Sequence, residues 1–200
     1  MSLLFFDMEF TGLRQNTTPI SLGIVSEDGK RFYAEFTDYN ESQCDKWIKE
    51  NVIKHMSLKN RGLGAWADEL EINGEIIEDG IFNVYGNERF ISDNLKIWLE
   101  DFDTIQFVSD VCHYDFVLLV DLLTNGGTAL DLPRNISAVC HDLNMDIAQH
   151  FHMSDHEAFG MSREQIMNDL YRPEDIVTGD KHNSLYDAEV IRAIYQEIVR

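Results

Sequence analysis

Asp7 and Glu9 stand two residues apart, directly after the apolar run Leu3-Leu4-Phe5-Phe6. On a strand, side chains at i and i+2 share a face, so both carboxylates can converge on one point. Like charges held that close call for a cation, although a D-x-E triplet alone equally describes a solvated strand end. Asp187 opens an apolar stripe that continues through Val190, Ile191, Ile194, Tyr195 and Ile198 at helical spacing, which turns it toward a core. A carboxylate there must be neutralised, hydrogen-bonded or bound to metal. Alternatively, Ser184 and Asp187 form a helix-start capping arrangement. Asp115 repeats the inward pattern, with Leu118, Leu119 and Leu122 on the same helical face. Asp110, just upstream, reads as the N-cap of that helix. His182 lies in the loop before Asp187. Its residue type suits a general base near neutral pH, and a lone loop histidine is also ordinary polar surface. Acids that gather cations beside such a base suggest metal-assisted hydrolysis.

The elements that must position these residues follow from hydrophobic periodicity. Residues 3–6 read as a central strand covered on both faces and running straight into the acids. Two more strands, over 19–26 and 31–36, are joined through Glu27-Asp28-Gly29-Lys30, whose Asp-Gly step is a strong hairpin signal. Helices are predicted near 42–53 and 88–99, a strand at 105–109, a helix over 112–123 ending before Gly126-Gly127, and a short strand near 136–140. Helical segments then dominate to Arg200. This order implies one α/β domain over residues 1–200: an antiparallel three-strand meander followed by parallel strands in a mixed sheet, with helices on both faces.

Composition narrows the function. The 200 residues are 44% hydrophobic and 26% charged, the balance of a chain that folds on its own. A net charge of -20 argues against a duplex-coating protein, because such proteins neutralise many phosphates with Lys and Arg. The basic residues Lys46, Lys49, Lys54, Lys59 and Arg61 gather in one segment, as phosphate contacts or as a solvated helix face. No apolar stretch approaches the roughly 20 residues of a membrane span, so no membrane partner and a cytoplasmic location are expected. Cys44, Cys112 and Cys140 are widely spaced with no CxxC pair, which argues against a disulfide framework. His150, His152 and His156 invite a zinc reading, but residues at i and i+2 on a helix do not share a face, and Ser154-Asp155 reads as a new cap.

Taken in order, the segments resemble a known set. Phe5-Phe6-Asp7-Met8-Glu9-Phe10-Thr11-Gly12-Leu13 is similar to the first motif of the DEDD 3′-to-5′ exonucleases, and especially to the D-x-E-x-T-G-L of oligoribonucleases. Tyr114-Asp115-Phe116-Val117-Leu118-Leu119 resembles the second motif, and His182-Asn183-Ser184-Leu185-Tyr186-Asp187 the H-x4-D third motif of the histidine branch, called DEDDh. Val111 and Cys112 stand where the second motif often carries an Asn. Trp47-Ile48-Lys49-Glu50-Asn51-Val52-Ile53 and the compact length look most similar to RNase AS-like exoribonucleases, while residues 59–86 match no pattern.

The resemblance implies an RNase H-like fold and hydrolysis of single-stranded RNA from its 3′ end to nucleoside 5′-monophosphates. It implies two divalent ions, Mg²⁺ or Mn²⁺, held by Asp7, Glu9, Asp115 and Asp187 about 3.5 to 4 Å apart, with His182 taking a proton from the attacking water. Phe10, Thr11, Gly12 and Leu13 would meet the terminal nucleotide through backbone contacts and apolar packing, and a homodimer is frequent. Two alternatives stay open: a DNA exonuclease of the proofreading type, and a catalytically silent nucleic-acid or protein-binding module on the same fold.

Overall fold

The computed structural model describes residues 1–60, 76–78 and 80–199. β1 (Ser2–Phe10), β2 (Pro19–Ser26) and β3 (Arg31–Phe36) form the antiparallel meander. Gly29 takes φ +91° in the β2–β3 connection, a left-handed conformation that a side chain would strain. β4 (Ile76–Glu78) and β5 (Ile81–Gly86) extend one edge, with β5 parallel to β3. β6 (Ile105–Ser109) and β7 (His141–Asp142) extend the other edge in parallel, giving the order β4-β5-β3-β2-β1-β6-β7. β1 is therefore interior. Its neighbours on both sides and the helices on both faces explain why Leu4, Phe5 and Phe6 are all fully buried.

The alternation of β1 divides two cores. Leu4, Phe6 and Met8 pack beneath α3 (Glu88–Leu99) and α4 (His113–Thr124), against Ile91, Leu95, Leu119 and Leu122. Phe5 points the other way, toward α5 (Leu143–His150), α7 (Arg163–Leu170) and α8 (Ser184–Ile198), where Ile147, Ile166, Val190 and Ile194 meet it. The fold is thus the α/β mixed sheet covered on both faces that the sequence predicts. Each aromatic or aliphatic side chain fully withdrawn from water contributes about 1.5–3 kcal/mol, so β1 anchors both layers. Asp7 and Glu9 share the Phe5 side of the strand.

Three local expectations differ. β1 continues through Phe10, because Met8 and Phe10 carry on the inward alternation past the acids. The helix expected over 42–53 is broken into a turn at Glu41–Gln43, α1 (Lys46–Asn51) and a second turn at Ile53–His55, with the short α2 (Ser57–Asn60) following. Asp45 caps α1 through the Ile48 N–H at 2.9 Å, and the breaks let Cys44, Ile48, Val52 and Met56 all reach Ile20 in a third small core. Of the strand expected at 136–140, only an Ile136–Ile105 bridge forms. The chain bulges through a Ser137–Val139 turn and rejoins β6 as β7.

Candidate active site

β2 lets a helix end approach the acids. Gly23 pairs with Asp7 across the β1–β2 ladder, and a Cβ at Gly23 would lie 2.3 Å from the Ser184 carbonyl and the Leu185 nitrogen. The missing side chain allows the first turn of α8 to rest directly on β2, where Ser184 Oγ lies 3.0 Å from Ser21 Oγ. Asp187 then hangs from that turn over the face carrying Asp7 and Glu9. Donor atoms of Glu9, His182 and Asp187 all fall within 4.8 Å of one another. His182 adopts φ +65°, its backbone N–H donates to Asp187 Oδ2 at 2.9 Å, and its Nδ1 lies 3.4 Å from Glu9 Oε1. The helix cap is Asn183 rather than Ser184: Asn183 Oδ1 accepts from the Leu185 and Tyr186 amides, both at 3.2 Å. Ser184 is buried and spent on Ser21.

Asp115 enters from the opposite side. The β1–β6 register ends at Phe5–Val108, so the β6 edge of β1 is unpaired beyond it, and the Met8 N–H donates instead to Asp115 Oδ1 at 2.9 Å. Asp110 does not cap α4, since the cap position is Cys112, whose side chain makes no capping bond. Its carboxylate is drawn away by Arg163, with Nε 2.7 Å from both oxygens. Arg163 also donates to the carbonyls of Ala158 and Met161 and to Asn144 Oδ1, tying α7 and α6 (Asp155–Gly160) to the end of β6. Arg163→Ala leaves Asp110 unpaired beside Asp7 and Asp115. The pair is largely shielded, with side-chain exposures of 15% and 26%, so a loss of about 3 kcal/mol is expected. Thermal unfolding should show a midpoint about 6–12 °C lower, and Arg163→Lys should recover only part because it lacks the two-pronged fork.

The electrostatics are those of uncompensated like charge. Burial, followed by Asp187, Asp115 and Glu9, holds the Asp7 carboxyl well above the usual range. Burial raises Asp115 to about 7, and burial with Glu9 raises Asp187 to about 7. Burial also lifts Glu9, opposed by His182, whose own pKa is raised chiefly by its hydrogen bond to Glu9. Among the described residues, no Lys or Arg forms an ion pair with any of these acids.

These raised values carry a pH signature. The folded metal-free protein keeps protons that the unfolded chain releases, so the associated stability is full below the ordinary carboxylate pKa and is lost as pH rises through about 7. In chelator, the unfolding midpoint is expected to fall between pH 4.5 and 7.5, and Mn²⁺ at pH 7.5 should restore it. A midpoint flat across that range in chelator contradicts the clustering.

Beside the acids lies a cleft of about 500 Å³, lined by Phe10, Gly12, Leu13, Arg14 and Trp47 together with Asp115 and His182. Leu13 is 79% exposed and Trp47 52% exposed, an uncommon state for such apolar side chains. Phe10 packs on Tyr114 with ring centres 5.6 Å apart, and the Trp47 ring meets the His182 ring edge-on at 4.9 Å. Thr11 stands behind the wall: it is fully buried, its hydroxyl donates to Gln43 Oε1 at 2.5 Å, and its amide donates to Thr18 O at 3.0 Å. Sequence reasoning did not place Trp47 against the histidine, and no sequence signal could have, because the residue lay within a helix predicted over 42–53 that the structure breaks into short pieces.

The basic segment disperses. Lys46, Lys49 and Lys54 are exposed, Lys59 Nζ bonds Tyr39 Oη at 2.9 Å, and Arg61 lies outside the described residues. His150 ends α5, His152 sits in a left-handed connection, and His156 lies within the Ser154–Glu157 capping box in the first turn of α6, so the three are spread over a helix end, a loop and the next helix.

The mixed sheet with helices on both faces is shared, at the level of the fold, with solved structures. Pop2p of S. pombe, in a form with Mg²⁺ and Mn²⁺ bound, superposes with a TM-score of 0.55 at 14% identity, over 98% of this chain and 82% of that one. A full-length 3′-exonuclease superposes at 0.60 with 9% identity, over 99% of this chain and 81% of that one. Among characterised sequences, a 3′-5′ exoribonuclease of Mycobacterium tuberculosis, found in two strains, is 33% identical over 49 residues. That stretch is 24% of this chain and spans only 29% of the relative's length. No family model matches the chain. Among the described residues, no helix is long and apolar enough to cross a membrane.

Proposed function

We propose that the chain is a two-metal-ion 3′-to-5′ exoribonuclease that releases nucleoside 5′-monophosphates from single-stranded RNA. One observation carries this reading: Glu9, His182 and Asp187 offer ligand atoms within 4.8 Å of one another at the end of the interior strand β1, Asp7 and Asp115 crowd the same point, and among the described residues no Lys or Arg is ion-paired to these acids. Hard oxygen donors whose pKa values are raised by burial and then by neighbouring acids fit Mg²⁺ or Mn²⁺, and the four carboxylates are the residues that would hold two such ions. Bound ions supply the positive charge that acidifies water and offsets charge on the phosphate.

The remaining work falls to side chains. His182, turned toward Glu9 and braced by the Trp47 ring, takes the proton from the attacking water. The terminal nucleoside lies in the cleft, with Phe10, Gly12 and Leu13 as its floor and Trp47 as an exposed aromatic face for the base. Supporting an RNA substrate are the oligoribonuclease-like D-x-E-x-T-G-L stretch from Asp7 to Leu13 and the aligned stretch shared with an exoribonuclease. An RNase AS-like, cytoplasmic, homodimeric enzyme with a single domain over 1–200 is the form this proposal takes.

Initial rates on matched single-stranded RNA and DNA, with Mg²⁺, Mn²⁺ or chelator, test the reading. RNA cleaved at least about tenfold faster than DNA, and only with metal, fits a contact to the 2′-hydroxyl. Preference for DNA moves the assignment to a proofreading-type exonuclease. Inactivity on both substrates with both metals favours a binding module.

A further inference from the structure

The cross-strand rows that carry the acids continue into β3. Asp7 pairs with Gly23 and Gly23 with Tyr33; Glu9 pairs with Ser21 and Ser21 with Glu35. Tyr33 and Glu35 therefore occupy the same sheet face as the catalytic acids, two strands away, and the first turn of α8 rests over Gly23 between them. Neither belongs to any motif, yet Glu35 is fully buried and Tyr33 is 2% exposed. A carboxylate withdrawn from water must be fully bonded to persist. Glu35 accepts from Tyr33 Oη at 2.7 Å and from the backbone amides of Leu58 and Lys59 at 2.8 and 2.7 Å.

That arrangement dictates what lies beyond Tyr33. Its only hydroxyl proton is given to Glu35, so toward Asn183 the phenol can only accept. Asn183 must then turn its NH₂ group to the phenol, and Nδ2 lies 3.5 Å from Tyr33 Oη and 3.4 Å from the His55 carbonyl. Asn183 Oδ1 is thereby aimed at the amides of Leu185 and Tyr186, which fixes the turn that begins at His182. Through Leu58 and Lys59 the same carboxylate pins the end of the 44–59 arm, whose small core seats α1 and with it Trp47. Both sides of the His182–Trp47 contact thus hang from one buried pair.

We propose that Tyr33 and Glu35 are positioning residues for the hydrolysis: their hydrogen-bonded relay through Asn183, Leu58 and Lys59 sets His182 and Trp47 relative to the acids. The proposal rests on the exoribonuclease reading above. Tyr33→Phe removes the hydroxyl with little change in shape. It is expected to lower kcat on single-stranded RNA about tenfold with KM within about twofold, because small displacements of a proton-transfer group are costly. In a His182→Ala background the same substitution should lower kcat no further, since its effect on kcat runs through the absent imidazole while Trp47 acts on the base and so on KM. An equal loss in both backgrounds, or no loss beside the native histidine, overturns the positioning role.

A second arm does not depend on turnover. In protein labelled at its histidine rings, Tyr33→Phe should shift the His182 ring signals while those of His113, His141, His150, His152 and His156 stay in place. If the native chain leaves RNA intact, the nuclease reading falls and this arm alone decides the relay. Unmoved His182 signals in a folded variant overturn it.

Discussion

Asp7→Asn is expected to slow RNA hydrolysis by at least about 10³-fold while raising the unfolding midpoint of the metal-free protein. The loss follows from the place of Asp7 on the interior strand, where Asp187, Asp115 and Glu9 all act on its carboxyl. Removing groups that merely orient metal ligands costs about 10- to 100-fold, so losing a carboxylate that would itself hold the ions should cost more. The gain in stability follows from the same crowding, because a neutral amide ends the repulsion at the centre of the cluster while keeping its shape. Opposite signs in two assays on one variant separate a functional acid from a structural one. A structural carboxylate would lose stability and activity together. Rates on labelled RNA and thermal unfolding in chelator are the two measurements.

The second large effect is expected at a residue that carries no side chain of its own. Gly23→Ala places a methyl 2.3 Å from backbone atoms of Ser184 and Leu185, which cannot swing aside as a flexible side chain would. The start of α8 must lift from β2, at a cost of about 1–3 kcal/mol. His182 and Asp187 ride on that turn, and a misplacement of about 1 Å can cost about 10²-fold in rate. The prediction is a folded protein, with a midpoint lowered by about 2–12 °C, and a roughly 100-fold fall in kcat. A variant with native kcat would show that α8 does not seat the site through Gly23.

These two residues illustrate what was legible in the sequence. Asp7 announces itself by its i, i+2 partner and by the apolar run it interrupts. Gly23 gives no sign, because only the packed helix reveals why a side chain is excluded there. β2, β3, α3 and β6 coincide with their predicted spans, since each is a strong apolar pattern bounded by Gly, Asp, Asn or Ser. The broken arm over 41–55 was not legible, because its breaks serve contacts with Ile20, more than twenty residues earlier. Asp110 looked like a helix cap for the same reason: its partner Arg163 is 53 residues away. Asp115, His182 and Asp187 pointed to one site through the resemblance of their segments to exonuclease motifs. Glu35 and Trp47 needed the fold, since a buried acid in a strand and an exposed ring on a short helix acquire meaning only from their neighbours.

The central claim is tested most directly by a time course on single-stranded RNA labelled at its 5′ end, with Mn²⁺ or Mg²⁺, using the native chain beside Asp7→Asn. The account predicts a ladder that shortens one nucleotide at a time from the 3′ end and releases nucleoside 5′-monophosphates, absent in Asp7→Asn and in chelator. Internal cuts, loss of the label before the ladder forms, or equal activity in Asp7→Asn would contradict it.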